Sequence, residues 1–217
     1  AESAGNNTVQ GNRQYDLHNT TNDTLYSVGN RLDPNRVLGK IAFSGSPAGG
    51  TSAFRDMSGH WAQVYIDALA QRNVISGFPD GSFRPGESVT RAQFAAIVSK
   101  AFPPSARQAR LNFRDVSSTF WGYQAIQTSV QAGFMKGYPE GEFRPNQSIP
   151  RVEALVALAS GLGFANGSQQ FLAKYQDANQ IPAWATGAIA AATQRKIVVN
   201  YPNLAQLTPN RNASRAE

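Results

Sequence analysis

Gly77-Phe78-Pro79-Asp80-Gly81-Ser82-Phe83-Arg84-Pro85, followed by Val89-Thr90-Arg91-Ala92-Gln93-Phe94, is the stretch that decides the reading, because it returns 60 residues later. The second copy is Gly137-Tyr138-Pro139-Glu140-Gly141-Glu142-Phe143-Arg144-Pro145, with Ile149-Pro150-Arg151-Val152-Glu153-Ala154 behind it. Repetition in register means that one supersecondary unit is used several times, each copy covering the apolar face of the next.

A third, degraded copy follows. Trp61, Trp121 and Trp184 each stand 16 residues before Gly77, Gly137 and Asn200. Upstream of them lie Phe54-Arg55-Asp56, Phe113-Arg114-Asp115 and Tyr175-Gln176-Asp177, at Asp-to-Trp separations of 5, 6 and 7. Constant spacing marks a rigid element and drifting spacing a loop. The third copy has Tyr201-Pro202 without Asp-Gly-x-Phe, and the given sequence stops at Ser214-Arg215-Ala216-Glu217, in register with Thr90-Arg91-Ala92-Gln93.

Helical periodicity places Ala62, Ile66, Leu69 and Ala70 on one stripe of a helix over 59–72. Pro79-Asp80-Gly81 is a turn in which proline fixes φ and glycine supplies a positive φ, with Phe78 and Phe83 as anchors. Thr90 and Gln93 form a capping box opening a second helix to Ala101, with Phe94, Ile97, Val98 and Ala101 inward and Pro103-Pro104 ending it. Repeat 2 predicts helices over 121–132 and 151–160, the latter with Leu155, Leu158 and Leu162 on its apolar face. There Pro150 suits a helix start while removing the side-chain cap. Repeat 3 predicts a helix over 182–195. Ser214 and Glu217 form a further capping box, so the pattern calls for about ten more residues of helix beyond Glu217.

Residues 1–52 are rich in Asn, Thr, Gly and Ser. Leu25–Val28 and Val37–Phe43 read either as short strands or as segments laid against a neighbour, and 45–50 as a flexible linker.

Composition narrows the function. Lys and Arg number 20 against 14 Asp and Glu, a net charge of +6, so an anionic partner is expected. The absence of cysteine excludes disulfides, thiol catalysis and cysteine metal sites. His18 and His60 are far apart, and there is no Gly-x-Ser-x-Gly elbow. Asp80-Gly81-Ser82 lacks the spaced acids and closing glutamate of a calcium loop. No apolar run reaches the roughly 20 residues of a membrane helix. The first residues, Ala1-Glu2-Ser3-Ala4, are not a signal peptide. No enzyme, cofactor or metal is expected from these residues.

The repeated pattern resembles the S-layer homology (SLH) domain, a family that repeats aromatic-x-Asp…Trp-Ala…Gly-Tyr-Pro-Asp-Gly-x-Phe-x-Pro…Thr-Arg-Ala-Glu, usually three times. The likeness runs from about residue 53 to 217, roughly three quarters of the chain. It implies a mainly α fold: a pseudo-threefold, three-pronged helical unit with a central helix bundle, here behind an extended, largely irregular N-terminal arm. The expected division is arm 1–52, repeat 1 over 53–104, repeat 2 over 105–165 and an incomplete repeat 3 over 166–217.

The resemblance also implies function. SLH domains anchor envelope proteins by binding peptidoglycan-linked polysaccharide, often pyruvylated and therefore anionic, in grooves between prongs. The arginine of the Thr-Arg-Ala-Glu element, here Arg91, Arg151 and Arg215, is typically central, the alternative being salt bridges between repeats. Its planar fork suits a carboxylate, and its place in the first helical turn adds backbone N–H groups and the helix dipole. Trp61, Trp121 and Trp184 are sugar platforms or core wedges. Gly77 and Gly137 shape the loop and let a ligand approach the backbone. Asp56, Asp115 and Asp177 are ligand contacts or acceptors for the loop. Asn200 in place of the family glycine puts the third groove in question.

The expected setting is the cell envelope, and the wording of repeat 1 is similar to cyanobacterial members, where the protein would be periplasmic or outer-membrane-associated. The alternative is a structural adaptor whose repeats make protein–protein contacts, with 1–52 reaching into a copy or an envelope partner. An accessory module of an enzyme whose catalytic domain lies elsewhere is a third reading. Nucleic acid is set aside because the arginines recur at helix starts rather than forming one basic face.

Overall fold

The protein is described from a computed structural model. The structure describes residues 52–102, 106–164, 166–198, 200 and 203–217, together with the strand segments of the first 44 residues. The linker 45–50, Pro103-Pro104 and Tyr201-Pro202 lie outside the described residues.

The arm contains β1 (Glu2–Ser3), β2 (Thr8–Val9), β3 (Leu17–His18), β4 (Leu25–Val28), β5 (Arg31–Leu32), β6 (Val37–Leu38) and β7 (Ile41–Ser44). Their pairings β1-β4-β7, β2-β5 and β3-β6 are all parallel. Parallel neighbours need a crossover rather than a hairpin. Of the two readings open for 25–28 and 37–43, strands occupy Leu25–Val28, Val37–Leu38 and Ile41–Ser44, and residues 39–40 lie outside the described residues.

Each repeat gives a helix, a loop and, in the first two, a second helix. The first helices are α1 (Gln63–Gln71), α3 (Tyr123–Gln131) and α5 (Thr186–Gln194); the second are α2 (Arg91–Ala101) and α4 (Arg151–Gly161). The tryptophans were expected inside or at the start of the first helices. Instead they stand just ahead of them, in tight turns such as Gln63 N to His60 O (2.9 Å) and Tyr123 N to Phe120 O (2.9 Å). None of these helices has a capping side chain, and the short turns satisfy N–H groups that a cap would otherwise take. At α2 the capping box forms as read: Thr90 Oγ1 accepts from Gln93 N at 3.2 Å and Gln93 Oε1 from Thr90 N at 2.9 Å. At α4, Pro150 supplies no side-chain cap.

Helix α2 packs on α3, and α4 on α5, so the second helix of one repeat supports the first helix of the next. Small residues make the approach close: Ala92, Ala95 and Val98 of α2 share a buried cluster with Ile126 and Val130 of α3. Phe94 and Ile97, expected inward, are only half-buried: Ile97 lines a groove, and Phe94 packs at the edge of the cluster shared with α3. Leu162 is exposed, lying just past the end of α4 where the helix no longer faces the core.

The repeats close into a ring through three backbone hydrogen bonds. Val89 N donates to Ala213 O (3.0 Å), Ala213 N to Ile149 O (2.9 Å) and Ile149 N to Val89 O (2.9 Å). Each bond joins the same position of two repeats, which defines a pseudo-threefold axis. The next turn repeats the rule, with Arg91 N bonded to Gln147 O, Arg151 N to Arg211 O and Arg215 N to Glu87 O. Three apolar clusters surround this axis, one under each prong.

Candidate functional site

Each prong loop is held by an aspartate. Asp56 accepts Phe83 N and Arg84 N, both at 2.7 Å; Asp115 accepts Phe143 N (2.8 Å) and Arg144 N (2.6 Å); Asp177 accepts Leu207 N (2.8 Å) and Thr208 N (2.7 Å). The second residue of each pair, Arg84, Arg144 or Thr208, has a positive φ of 57°, 57° or 49°. That conformation disfavours side chains with a Cβ, and the carboxylate fork offsets it by bonding both adjacent N–H groups. The Phe83 N–H holds the Asp56 carboxyl below its ordinary range, against the opposing effect of burial. The aspartates therefore serve the loop.

Gly81 and Gly141 adopt the positive φ expected of the turn, 78° and 77°. Gly77 and Gly137 are needed for a different reason. A Cβ there would lie 2.4 Å from Phe54 Cε1 and 2.3 Å from Phe113 Cε1, so the glycines admit an aromatic edge.

The three repeated arginines reach across repeats. Arg91 donates Nε to Phe143 O (2.8 Å), Nη2 to Lys136 O (2.8 Å) and Nη1 to Glu153 Oε2 (2.7 Å). Arg151 donates Nε to Leu207 O (2.8 Å) and Nη2 to Asn200 Oδ1, and pairs through Nη1 with Glu217 Oε1 (2.7 Å). Arg215 closes the ring onto repeat 1, with Nε on Phe83 O (2.7 Å) and Nη2 on Ser76 O (2.9 Å). Asn200 thus meets Arg151 through its side chain, where Ser76 and Lys136 meet Arg215 and Arg91 through backbone carbonyls.

Arg91 and Arg151 are buried; Arg215 is half-buried. Burial pushes the Arg151 and Arg215 guanidinium groups below the usual arginine range. Phe83, Phe143 and Phe78 lie beneath these cations: Arg91 sits 4.8 Å from the Phe143 centroid, and Arg215 4.4 Å from Phe83 and 4.9 Å from Phe78.

Two of these arginines line inter-repeat grooves. The first, about 290 Å³, lies between the Ser76-Gly77-Phe78 loop and α2, with Arg215 and Trp121 on its margins. The second, about 520 Å³, repeats this arrangement with Lys136-Gly137-Tyr138, α4, Arg91 and Trp184. Each groove therefore takes its loop and helix from one repeat, its tryptophan from the next and its arginine from the third. Trp121 and Trp184 are 64% and 62% exposed, which makes them groove walls rather than core wedges. Trp61 is less exposed, at 38%, and its ring lies 5.5 Å from that of His60.

The structure thus brings Arg215, Gly77 and Trp121 together, and likewise Arg91, Gly137 and Trp184. Asp56 and Asp115 stand behind the loops, and Arg151 is enclosed by protein groups. Sequence reading missed Lys100 and Ser160, which occupy the same place at the far ends of α2 and α4, and missed Lys136. It read Gln93 and Glu217 only as capping-box partners, and did not connect the column Gln93, Glu153 and Glu217 with the arginine two positions earlier.

Comparison with known proteins agrees with this arrangement. The model of the S-layer homology domain matches residues 53–95, 112–155 and 174–217, more than half of the chain. An amylopullulanase of Thermoanaerobacterium thermosulfurigenes is 30% identical over 94% of this chain and 11% of its own length. A cellulosome-anchoring protein of Acetivibrio thermocellus is 33% identical over 53% of this chain and 27% of its own. The surface-layer 125 kDa protein of Lysinibacillus sphaericus is 30% identical over 67% of this chain and 12% of its own. The chain thus spans only about a tenth to a quarter of these relatives. Three matched repeats, joined in a ring by equivalent hydrogen bonds, place this chain in the S-layer homology domain family.

Proposed function

We propose that these residues form a non-catalytic module that anchors a protein to the bacterial cell surface by binding peptidoglycan-linked, anionic polysaccharide in the inter-repeat grooves. The observation that carries this reading is the pairing, in two grooves, of an exposed tryptophan wall with a loop-held arginine. An indole face packs the apolar face of a sugar ring, and a guanidinium recognises a carboxylate such as a pyruvate ketal. Two grooves on one rigid ring add avidity to weak single contacts. Relatives named for cellulosome anchoring and for the surface layer support the cell-surface setting. Among the described residues no helix is long and apolar enough to cross a membrane. Relatives named as enzymes are far longer than this chain, which fits an anchoring part joined to separate catalytic parts.

The test is co-sedimentation with purified sacculi before and after the attached polysaccharide is stripped, using wild type and Trp121→Ala/Trp184→Ala. Binding that disappears on stripping and in the folded double variant is the expected result. Failure of folded wild type to pellet with intact sacculi overturns the reading. A second reading, a protein–protein adaptor, is favoured by one observation: Arg91 and Arg151 spend their hydrogen bonds on neighbouring repeats. It predicts concentration-dependent assembly without polymer, measurable by analytical ultracentrifugation.

A further inference from the structure

The helices bring their carboxyl ends together. The Phe102 ring, just past α2, stacks on that of Phe134, just past α3, with centroids 4.7 Å apart. Arg107 N donates to the carbonyl of Gln131, the last residue of α3, at 2.8 Å, and its Nη1 to that of Gly161, the last of α4, at 3.0 Å. Arg195, at the end of α5, lies 4.4 Å from the centroid of the Phe164 ring that follows α4. Val74 and Ile75, just past α1, line one groove with Lys100 in the last turn of α2.

This end carries one sign of charge. Arg72, Lys100, Arg107, Arg110, Arg195 and Lys196 are all exposed there. The segments that meet at it, 72–76, 100–102, 106–111, 131–136, 160–164 and 194–198, contain no Asp or Glu. Among the described residues none of the six cations enters an ion pair. The pairs Arg55–Asp80, Arg84–Glu87, Arg114–Glu142 and Arg144–Glu140 sit instead at the prong loops. A cation at a helix carboxyl end complements the dipole, which accounts for Arg72, Lys100 and Arg195. It does not account for Arg110, which lies on the linker. Nor does it account for Leu111 and Leu162, which are 44% and 36% exposed on the same segments.

We propose that this end is a docking surface for an anionic lipid bilayer. The six cations meet phosphate headgroups, and Leu111 and Leu162 meet the acyl boundary. Both halves of the patch choose the occupant, because a soluble polyanion answers the charge and offers nothing to the leucines. The inference goes beyond the anchoring reading and stands without it, since of the six cations only Lys100 lines a groove. With polymer in the grooves as well, the module bridges wall and bilayer.

Flotation of the full chain with vesicles tests this. The vesicles are phosphatidylcholine alone, or an equal mixture of phosphatidylcholine and phosphatidylglycerol. The chain should float with the mixture, stay behind with phosphatidylcholine, and be released by high salt. Arg195→Gln/Lys196→Gln should weaken binding roughly twentyfold, at about fivefold for each cation near the surface. Arg72→Gln/Arg110→Gln should do the same. Neither of those side chains holds a partner among the described residues, so this pair decides the matter should the first misfold. Arg55→Gln/Arg114→Gln removes the same net charge at the loop end and should change binding little. Leu111→Ser/Leu162→Ser should weaken it several-fold with the charge intact.

Failure of folded wild type to float with the mixed vesicles overturns the inference, as does an equal loss from the loop-end pair. Wild-type binding by the leucine variant also overturns it, assigning the patch to soluble polyanions. Arg195→Gln/Lys196→Gln should still pellet with sacculi, so the anchoring reading stands or falls by its own test.

Discussion

The Nε–H of Arg215 donates to the carbonyl oxygen of Phe83 at 2.7 Å, joining residues 132 positions apart. Arg91 makes the same bond to Phe143, and Arg151 to Leu207, both at 2.8 Å. The third repeat therefore returns to the first by the contact that joins first to second and second to third. A ring lets every prong loop be held from outside its own repeat, and a groove is the space left between loop, helix and holder.

Asp177 is buried, and its carboxylate meets two adjacent N–H groups. Asp177→Ala leaves those donors without their charged acceptor and should lower stability by roughly 2–4 kcal/mol. Urea unfolding followed by tryptophan fluorescence measures this.

Gly137→Ala should destabilise through packing alone. The added Cβ would lie 2.3 Å from Phe113 Cε1 and 2.9 Å from Glu142 O, so ring and loop must both move. A loss of about 2 kcal/mol is expected, in the range of overpacked cores, and thermal unfolding reads it. A substitution with no effect would mean that the loop is not held against the Phe113 ring.

Glu217 couples stability to pH. Burial raises its pKa, but the Ser214 N–H and the charges of Arg151 and Arg211 outweigh burial, so the net shift is downward. A depressed folded value contributes stability that is complete above the unfolded value of roughly 4.3 and is lost as pH falls through the folded one. The urea midpoint should therefore drop on acidification below about pH 5, and Glu217→Gln should flatten part of that slope. At neutral pH the same substitution strands the buried Arg151 and should cost about 3 kcal/mol.

Thr208 is β-branched with φ of 49°, whereas Arg84 and Arg144 hold the equivalent place without branching. Asparagine tolerates this region better, so Thr208→Asn should raise stability by about 1 kcal/mol. An increase in melting temperature is the check.

The repeats, the turns and the helix of the capping box were legible because they depend on neighbours in sequence. Gly81 needs a positive φ whatever lies around it, and Thr90 finds its capping partner three residues on. The two exposed tryptophans could not be assigned, since a periodic Trp is equally a core wedge until the helix it precedes is packed. The repeated arginine likewise pointed to an anion in sequence, whereas in space it first holds a loop.

Sequence by itself determined that three copies of one unit follow one another, where their loops turn and which residue types recur. Tertiary structure alone decided that the copies close into a ring. Only that closure says which arginine meets which loop, because Arg91, Arg151 and Arg215 find their partners 45 to 139 residues away. It also decided that Gln93, one atom type away from Glu153, leaves one guanidinium without a carboxylate. That difference is invisible until the third repeat lies against the first.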